Sequence, residues 1–222
     1  MVSWLRWTRD WCKTWSPARA ARQRAIATRR ETITGVTDYP LLDAKAPDFM
    51  DRRRLRRQAP ALAGEGAGGP CLQPIRWAEP FEAVRDRAEA ITLRPSVFFA
   101  SLGAMAQFAQ RAQFAHNLFA AGGVGALCED TEFKSRDDMV HALRKSGARV
   151  AVICGTDAVY AEEAENAAQR LKAAGAEWVV LAGKPGESEA KLRAAGIDQF
   201  VFAGQDALEA LAMLHRALGI GA

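Results

Sequence analysis

Five short apolar runs organise this chain: SVFFAS (96–101), VGALCE (124–129), RVAVIC (149–154), WVVLAG (178–183) and QFVFAG (199–204). Runs of this length with apolar residues on both sides of the pleat read as strands buried on both faces. Between them the apolar positions fall three and four residues apart, which predicts amphipathic helices over 104–121, 135–146, 158–174, 187–195 and 206–218. The last carries Leu208, Leu211, Leu214 and Leu218 on one face. Gly122-Gly123 stops the first of these helices. Ser135 followed by Asp138 resembles a capping box that opens the second. A further helix, PFEAVRDRAEA (80–90), precedes the first strand, with Phe81, Val84 and Ala88 as its apolar stripe. Strands alternating with helices predict a parallel sheet covered on both sides. With right-handed crossovers this is an α/β, flavodoxin-like, doubly wound five-stranded domain over 80–222.

The pattern is different before residue 80. Trp4, Trp7, Trp11 and Trp15 would share one face of a helix. That spacing suits an interfacial or partner-docking helix, but the Trp/Arg-rich composition is also that of a gene start read out of frame, so residues 1–17 are left unassigned. SPARAARQRAIATRR (16–30) reads as a helix stopped at Thr34-Gly35, and TDYPLLDAKAPDF reads as extended around Pro40 and Pro47. Residues 18–62 form a basic arm of helical and extended character. AGEGAGGP (63–70) is linker by composition, and the linker region is set at 63–79.

Charge sharpens this division. The net charge of +4 splits into 14 Lys+Arg against 6 Asp+Glu in residues 1–60, and 16 against 20 in the remainder. A basic arm on a mildly acidic domain suits nucleic acid, an acidic partner surface or substrate phosphates. The basic run Asp51–Arg57 has no interleaved aromatic residues, which argues against nucleic acid. No apolar run reaches the roughly 20 residues that a membrane-spanning helix needs. Cys12, Cys71, Cys128 and Cys154 form no CxxC pair and fit a reducing, cytoplasmic setting.

In a doubly wound sheet, ligands are met at the carboxyl ends of the strands. Those ends carry Ser101-Leu102-Gly103, Glu129-Asp130, Cys154-Gly155-Thr156-Asp157, Ala182-Gly183-Lys184-Pro185-Gly186 and Ala203-Gly204-Gln205-Asp206. No GxGxxG follows the first strand and no GxxxxGK[ST] occurs, which excludes a dinucleotide fingerprint and a P-loop. The first strand ends without an acid, which argues against a phosphoreceiver. His116, His141 and His215 all lie within predicted helices and read as surface or half-buried residues rather than ligands. Cys154 has no visible base beside it and reads as a buried structural thiol.

RPSVFFASLG…FAQRAQFAHNLFAAGGV, GARVAVICGTDAVYAEEA, AGAEWVVLAGKPGE and AGIDQFVFAGQDALEAL together resemble the C-terminal, cobalamin-binding-like domain of methylmalonyl-CoA mutase. The likeness is greatest to the small (beta) subunit of the heterodimeric bacterial enzyme. RQRAIATRRETITGVTDYPLL resembles the segment of that subunit that leaves the substrate barrel, and the resemblance runs from about Ala18 to Ile220.

The family rearranges methylmalonyl-CoA to succinyl-CoA with adenosylcobalamin. In its catalytic chain the first loop reads DxHxxG, and the His ligates cobalt. By this resemblance the corrin-site positions are Gly103, Gln107, Cys154, Gly155, Thr156, Gly183 and Gly204. Gln107 stands at the His position, Met105 at the Asp and Gln110 at the closing Gly, so no metal ligand is expected. Cys154-Gly155-Thr156 replaces a Ser-rich strand end, and Ala182-Gly183 replaces Gly-Gly. The resemblance therefore implies a degenerate site that does not bind adenosylcobalamin, in a chain that is inactive alone and supports a large catalytic subunit or a separately encoded barrel. The implied whole is a cytoplasmic heterodimer. The alternative is a mutase component that holds cobalamin base-on without a His. A complete small subunit would carry a (β/α)8 barrel upstream, so a truncated or separately encoded piece is expected.

Overall fold

The computed structural model describes residues 17–43 and 76–221. The tryptophan-rich start, the basic run 51–57 and the glycine-rich stretch 63–70 lie outside them.

The segments that read as alternating strands and helices fold in that order. After helix α1 (17–27) come α2 (Glu79–Glu89), β1 (Ser96–Ser101), α3 (Met105–Ala121), β2 (Gly125–Leu127), α4 (Arg136–Ser146) and β3 (Val150–Cys154). They are followed by α5 (Asp157–Ala173), β4 (Trp178–Ala182), α6 (Glu189–Ala194), β5 (Gln199–Val201) and α7 (Ala207–Ala217). The five strands form one all-parallel sheet in the order β2-β1-β3-β4-β5. This is the flavodoxin-like order, and its switch point lies between β1 and β3.

Alternation along β1 divides the core. Val97 and Phe99 face the layer built by α2, α3 and α7, where Phe81, Phe108, Leu118 and Leu211 are buried. Phe98 and Ala100 face the layer of α4, α5 and α6, with Met139, Leu143, Ala164 and Leu171. Because both faces are covered, the strands carry almost no polar side chains, as the sequence pattern requires.

Two strands stop well short of their apolar runs, each for a local reason, and one predicted helix divides. β2 stops at Leu127 because Cys128 turns into the left-handed region (φ 62°). β5 stops at Val201; Phe202 N–H then donates to the Gln205 side chain, and Gly204 turns with φ 91°. The stretch 187–195 divides into a tight 3-10 turn, Gly186–Ser188, and the short helix α6.

Residues 17–43 pack on the sheet domain. Ile26, 3% exposed, joins the core layer of α2 and α7. Arg22 lies over the Trp77 ring at 4.8 Å. Arg94 donates to Asp43 at 2.7 Å and to the Leu42 carbonyl at 2.9 Å. The helix ends at 27, short of the expected 30, because Arg29 adopts φ 57° and Arg30 N–H turns back to the Ala25 carbonyl.

Candidate functional site

The turn from β1 into α3 begins at Gly103 (φ 81°), where the chain reverses in a conformation costly for any side chain. A Cβ there would stand 2.2 Å from Gln107 Oε1, so the glycine also makes room for that side chain. Gln107 folds back on its own helix. Its Oε1 accepts Ala104 N–H at 2.9 Å, and its own N–H donates to the Ala104 carbonyl at 2.8 Å. This satisfies amides that an α-helix start leaves free. Beside it, the N–H of the half-exposed Met105 donates to Glu132 at 3.2 Å.

At the ends of β3 and β4 two residues that sequence reasoning did not single out take the central place. The buried Tyr160, in the first turn of α5, accepts Gly155 N–H at 2.9 Å through its hydroxyl. The same hydroxyl donates toward the carbonyls of Ala182 (2.8 Å) and Ile153 (3.1 Å), so one phenol joins β3, β4 and the turn after β3. Its ring lies between two glycines. A Cβ on Gly155 would come within 3.1 Å of one ring edge, and a Cβ on Gly183 within 3.0 Å of the other. Arg111, from α3, stacks on the ring at 4.9 Å and donates to Asp157 at 2.6 Å. The signal available in the sequence was compositional: the chain has only two tyrosines, and this one starts the Ala-rich face Tyr160, Ala164, Ala167, Ala168 and Leu171.

The remaining site positions serve local structure. Cys154 is fully buried at the end of β3, and burial pushes its thiol far above the usual range against the opposing charge of Arg111. The Tyr160 hydroxyl is likewise held in its neutral form by burial. Thr156 caps α5 by accepting Val159 N–H at 3.4 Å. Gly183 N–H donates to the Leu181 carbonyl at 3.0 Å. Gly204 lies apart from this cluster, in the turn into α7, with open space where a Cβ would stand. The structure thus brings Gly155 and Gly183 together around Tyr160, keeps Gly103 with Gln107, and leaves Gly204 on a separate cavity.

His116 pairs with Glu129, in the turn after β2. His215 departs from the expectation of a surface or half-buried residue: it is 2% exposed, and its Nε2–H donates to the Gly122 carbonyl at 2.9 Å. The α7 stripe that buries Leu211 and Leu214 carries the adjacent His215 inward against the end of α3. Among the described residues no group of three His, Cys, Asp or Glu is placed to hold a metal ion, and no helix is long and apolar enough to cross a membrane.

The strand order and the glycine-bearing strand ends define a flavodoxin-like α/β domain of the type that meets ligands at its switch point. No family model matches the chain. It is 40% identical over 205 residues to the methylmalonyl-CoA mutase small subunit of Streptomyces virginiae, covering 90% of this chain and 30% of that protein. With the small subunit of Propionibacterium freudenreichii subsp. shermanii it shares 30% identity over 206 residues, again 90% and 30% of the two chains. With that of Porphyromonas gingivalis the figures are 31% over 202 residues, 90% and 31%. Over about nine tenths of its length the chain is thus similar to methylmalonyl-CoA mutase small subunits. It spans about a third of the length of the curated relatives it matches.

Proposed function

We propose that this chain is a non-catalytic, supporting part of an adenosylcobalamin-dependent methylmalonyl-CoA mutase, and that its own corrin site is closed. The observation that carries this reading is the use of the strand-end space by the chain's own side chains. By the family resemblance, Gln107 stands where a His would meet cobalt. Its amide oxygen instead caps its own helix, and Met105 offers no carboxylate to orient a ligand. The Tyr160 ring lies between Gly155 and Gly183, positions the resemblance assigns to the nucleotide tail, and its hydroxyl is engaged with three backbone groups. These residues do not suit the cofactor.

On this reading the domain retains the family's architecture as a folded partner surface. The partner is the large catalytic subunit or a separately encoded barrel, in a cytoplasmic heterodimer. Purified chain supplied with methylmalonyl-CoA and adenosylcobalamin is expected to form no succinyl-CoA. It is expected to co-elute with a large catalytic subunit when the two are expressed together. Turnover by the isolated chain would overturn the reading.

A further inference from the structure

A cavity of about 180 Å³ opens at the end of β5, between α3, the turn into α7 and the reversal that follows α1. Thr28, Arg29, Thr32, Phe114, Gly204 and Gln205 are among the residues lining it. Of the positions that the resemblance assigns to the corrin site, Gly204 alone lines it; Tyr160 and Gln107 are not part of its wall.

Arg29 is the unusual member. Its backbone takes φ 57°, a conformation uncommon for a side-chain-bearing residue, and its side chain is only 15% exposed. A guanidinium carries five N–H donors. Among the described residues none of them makes a hydrogen bond: Nη1 is enclosed without an acceptor, and Nη2 stands 3.8 Å from Asp38, beyond hydrogen-bond reach. Phe114 faces the cation at 5.6 Å, which offers some attraction but no acceptor. Burial lowers the Arg29 pKa despite Asp38, as expected for a cation short of partners. A largely buried donor group of this size costs stability when nothing answers it.

The cavity supplies the room. Its volume is several times that of one water molecule, enough for a small oxyanion. Planar oxyanions and phosphates match the guanidinium fork better than water does. Thr32 and the Gly204-Gln205 turn add polar lining. We infer that this cavity is a binding site for a small oxyanion, a carboxylate or a phosphate, which pairs with the Arg29 guanidinium and rests against Phe114. The bound anion would also tie residues 28–32 to α3 and α7, joining the N-terminal segment to the sheet domain by charge as well as by the burial of Ile26. The inference does not rest on the closed corrin site and stands or falls separately from it.

The test uses the full 222-residue chain at constant ionic strength, with sodium chloride replaced stepwise by inorganic phosphate in one arm and by acetate in the other. Thermal unfolding should shift upward by about 2–5 °C at an anion concentration near ten times the dissociation constant. The arm with the larger shift identifies phosphate or carboxylate as the preferred chemistry. Arg29→Met should lose at least three quarters of that increment. Equal melting temperatures in all three salts, or an increment retained in the variant, would overturn the site. A second measurement needs no variant: the Arg29 Nε–Hε resonance, assigned through its backbone, should move saturably on titration with the preferred anion. An unmoved resonance overturns the site in the same way.

Discussion

The amide oxygen of Gln107 accepts the backbone N–H of Ala104 at 2.9 Å, inside the space that Gly103 leaves by having no side chain. Gln107 therefore acts as a helix cap. Replacing it should affect stability rather than open a site. Gln107→Ala should cost about 0.5–1.5 kcal/mol by leaving the Ala104 N–H at the start of α3 without its acceptor. Gly103→Ala should cost more, about 1–3 kcal/mol, because it combines a left-handed backbone with overlap against Gln107. Urea midpoints of the two variants against wild type check both the sign and the order.

Tyr160 is expected to be the most sensitive position at the strand ends. Tyr160→Phe keeps the ring and removes the hydroxyl. It strands the Gly155 N–H and weakens the tie to Ala182, at about 1–3 kcal/mol. Gly183→Ala should cost about 1–3 kcal/mol by pressing a methyl against the ring, Arg111 and Leu181. Tyr160→Leu removes the ring edge that the added methyl meets, so a double-mutant cycle of Tyr160→Leu with Gly183→Ala should show a coupling of about 0.5 kcal/mol or more. Additive losses would mean that the ring is not wedged as described.

His215 gives a pH dependence whose sign can be stated. Burial, with Arg87 nearby, depresses its pKa below 6.5 despite the hydrogen bond to Gly122. In the unfolded chain it returns to about 6.5 and takes up a proton that the folded state refuses. Its contribution is therefore intact above pH 6.5 and is lost as pH falls below that value through the folded pKa. His215→Gln removes this titration. The difference in unfolding free energy between wild type and variant should be constant from pH 7 to 8 and should shift in the variant's favour from pH 6.5 down to 5.

The apolar spacing of the sequence was enough to place all five strands and the helices after residue 80, because doubly buried strands leave an unambiguous pattern. Strand ends were less legible. The left-handed turn at Cys128 and the Gln205 bond to Phe202 N–H depend on backbone geometry that periodicity does not encode. In the candidate site, the cap that Gln107 places on Ala104 N–H was not read from the sequence, because it depends on the backbone turn at Gly103. The roles of Tyr160 and Arg111 were not read either, because they come from different helices and meet only through the fold. The packing of Ile26 was hidden for a related reason: a basic, Ala-rich segment reads as solvated until its one apolar face finds a partner.

That packing makes a prediction of its own. Ile26→Ala should destabilise the sheet domain by about 2–5 kcal/mol, as a core truncation does, even though the residue precedes the first strand by about 70 positions. A single cooperative transition, lowered as a whole, is expected in denaturant. An unchanged midpoint would mean that the N-terminal segment is not part of the folded unit.

The proposed closure of the corrin site is tested by titrating the purified chain with hydroxocobalamin and adenosylcobalamin and following the visible absorption spectrum alongside equilibrium dialysis. The expected result is a spectrum identical to that of free cobalamin and no retention of the cofactor. Saturable retention, with either a base-off or a base-on spectrum, would contradict it.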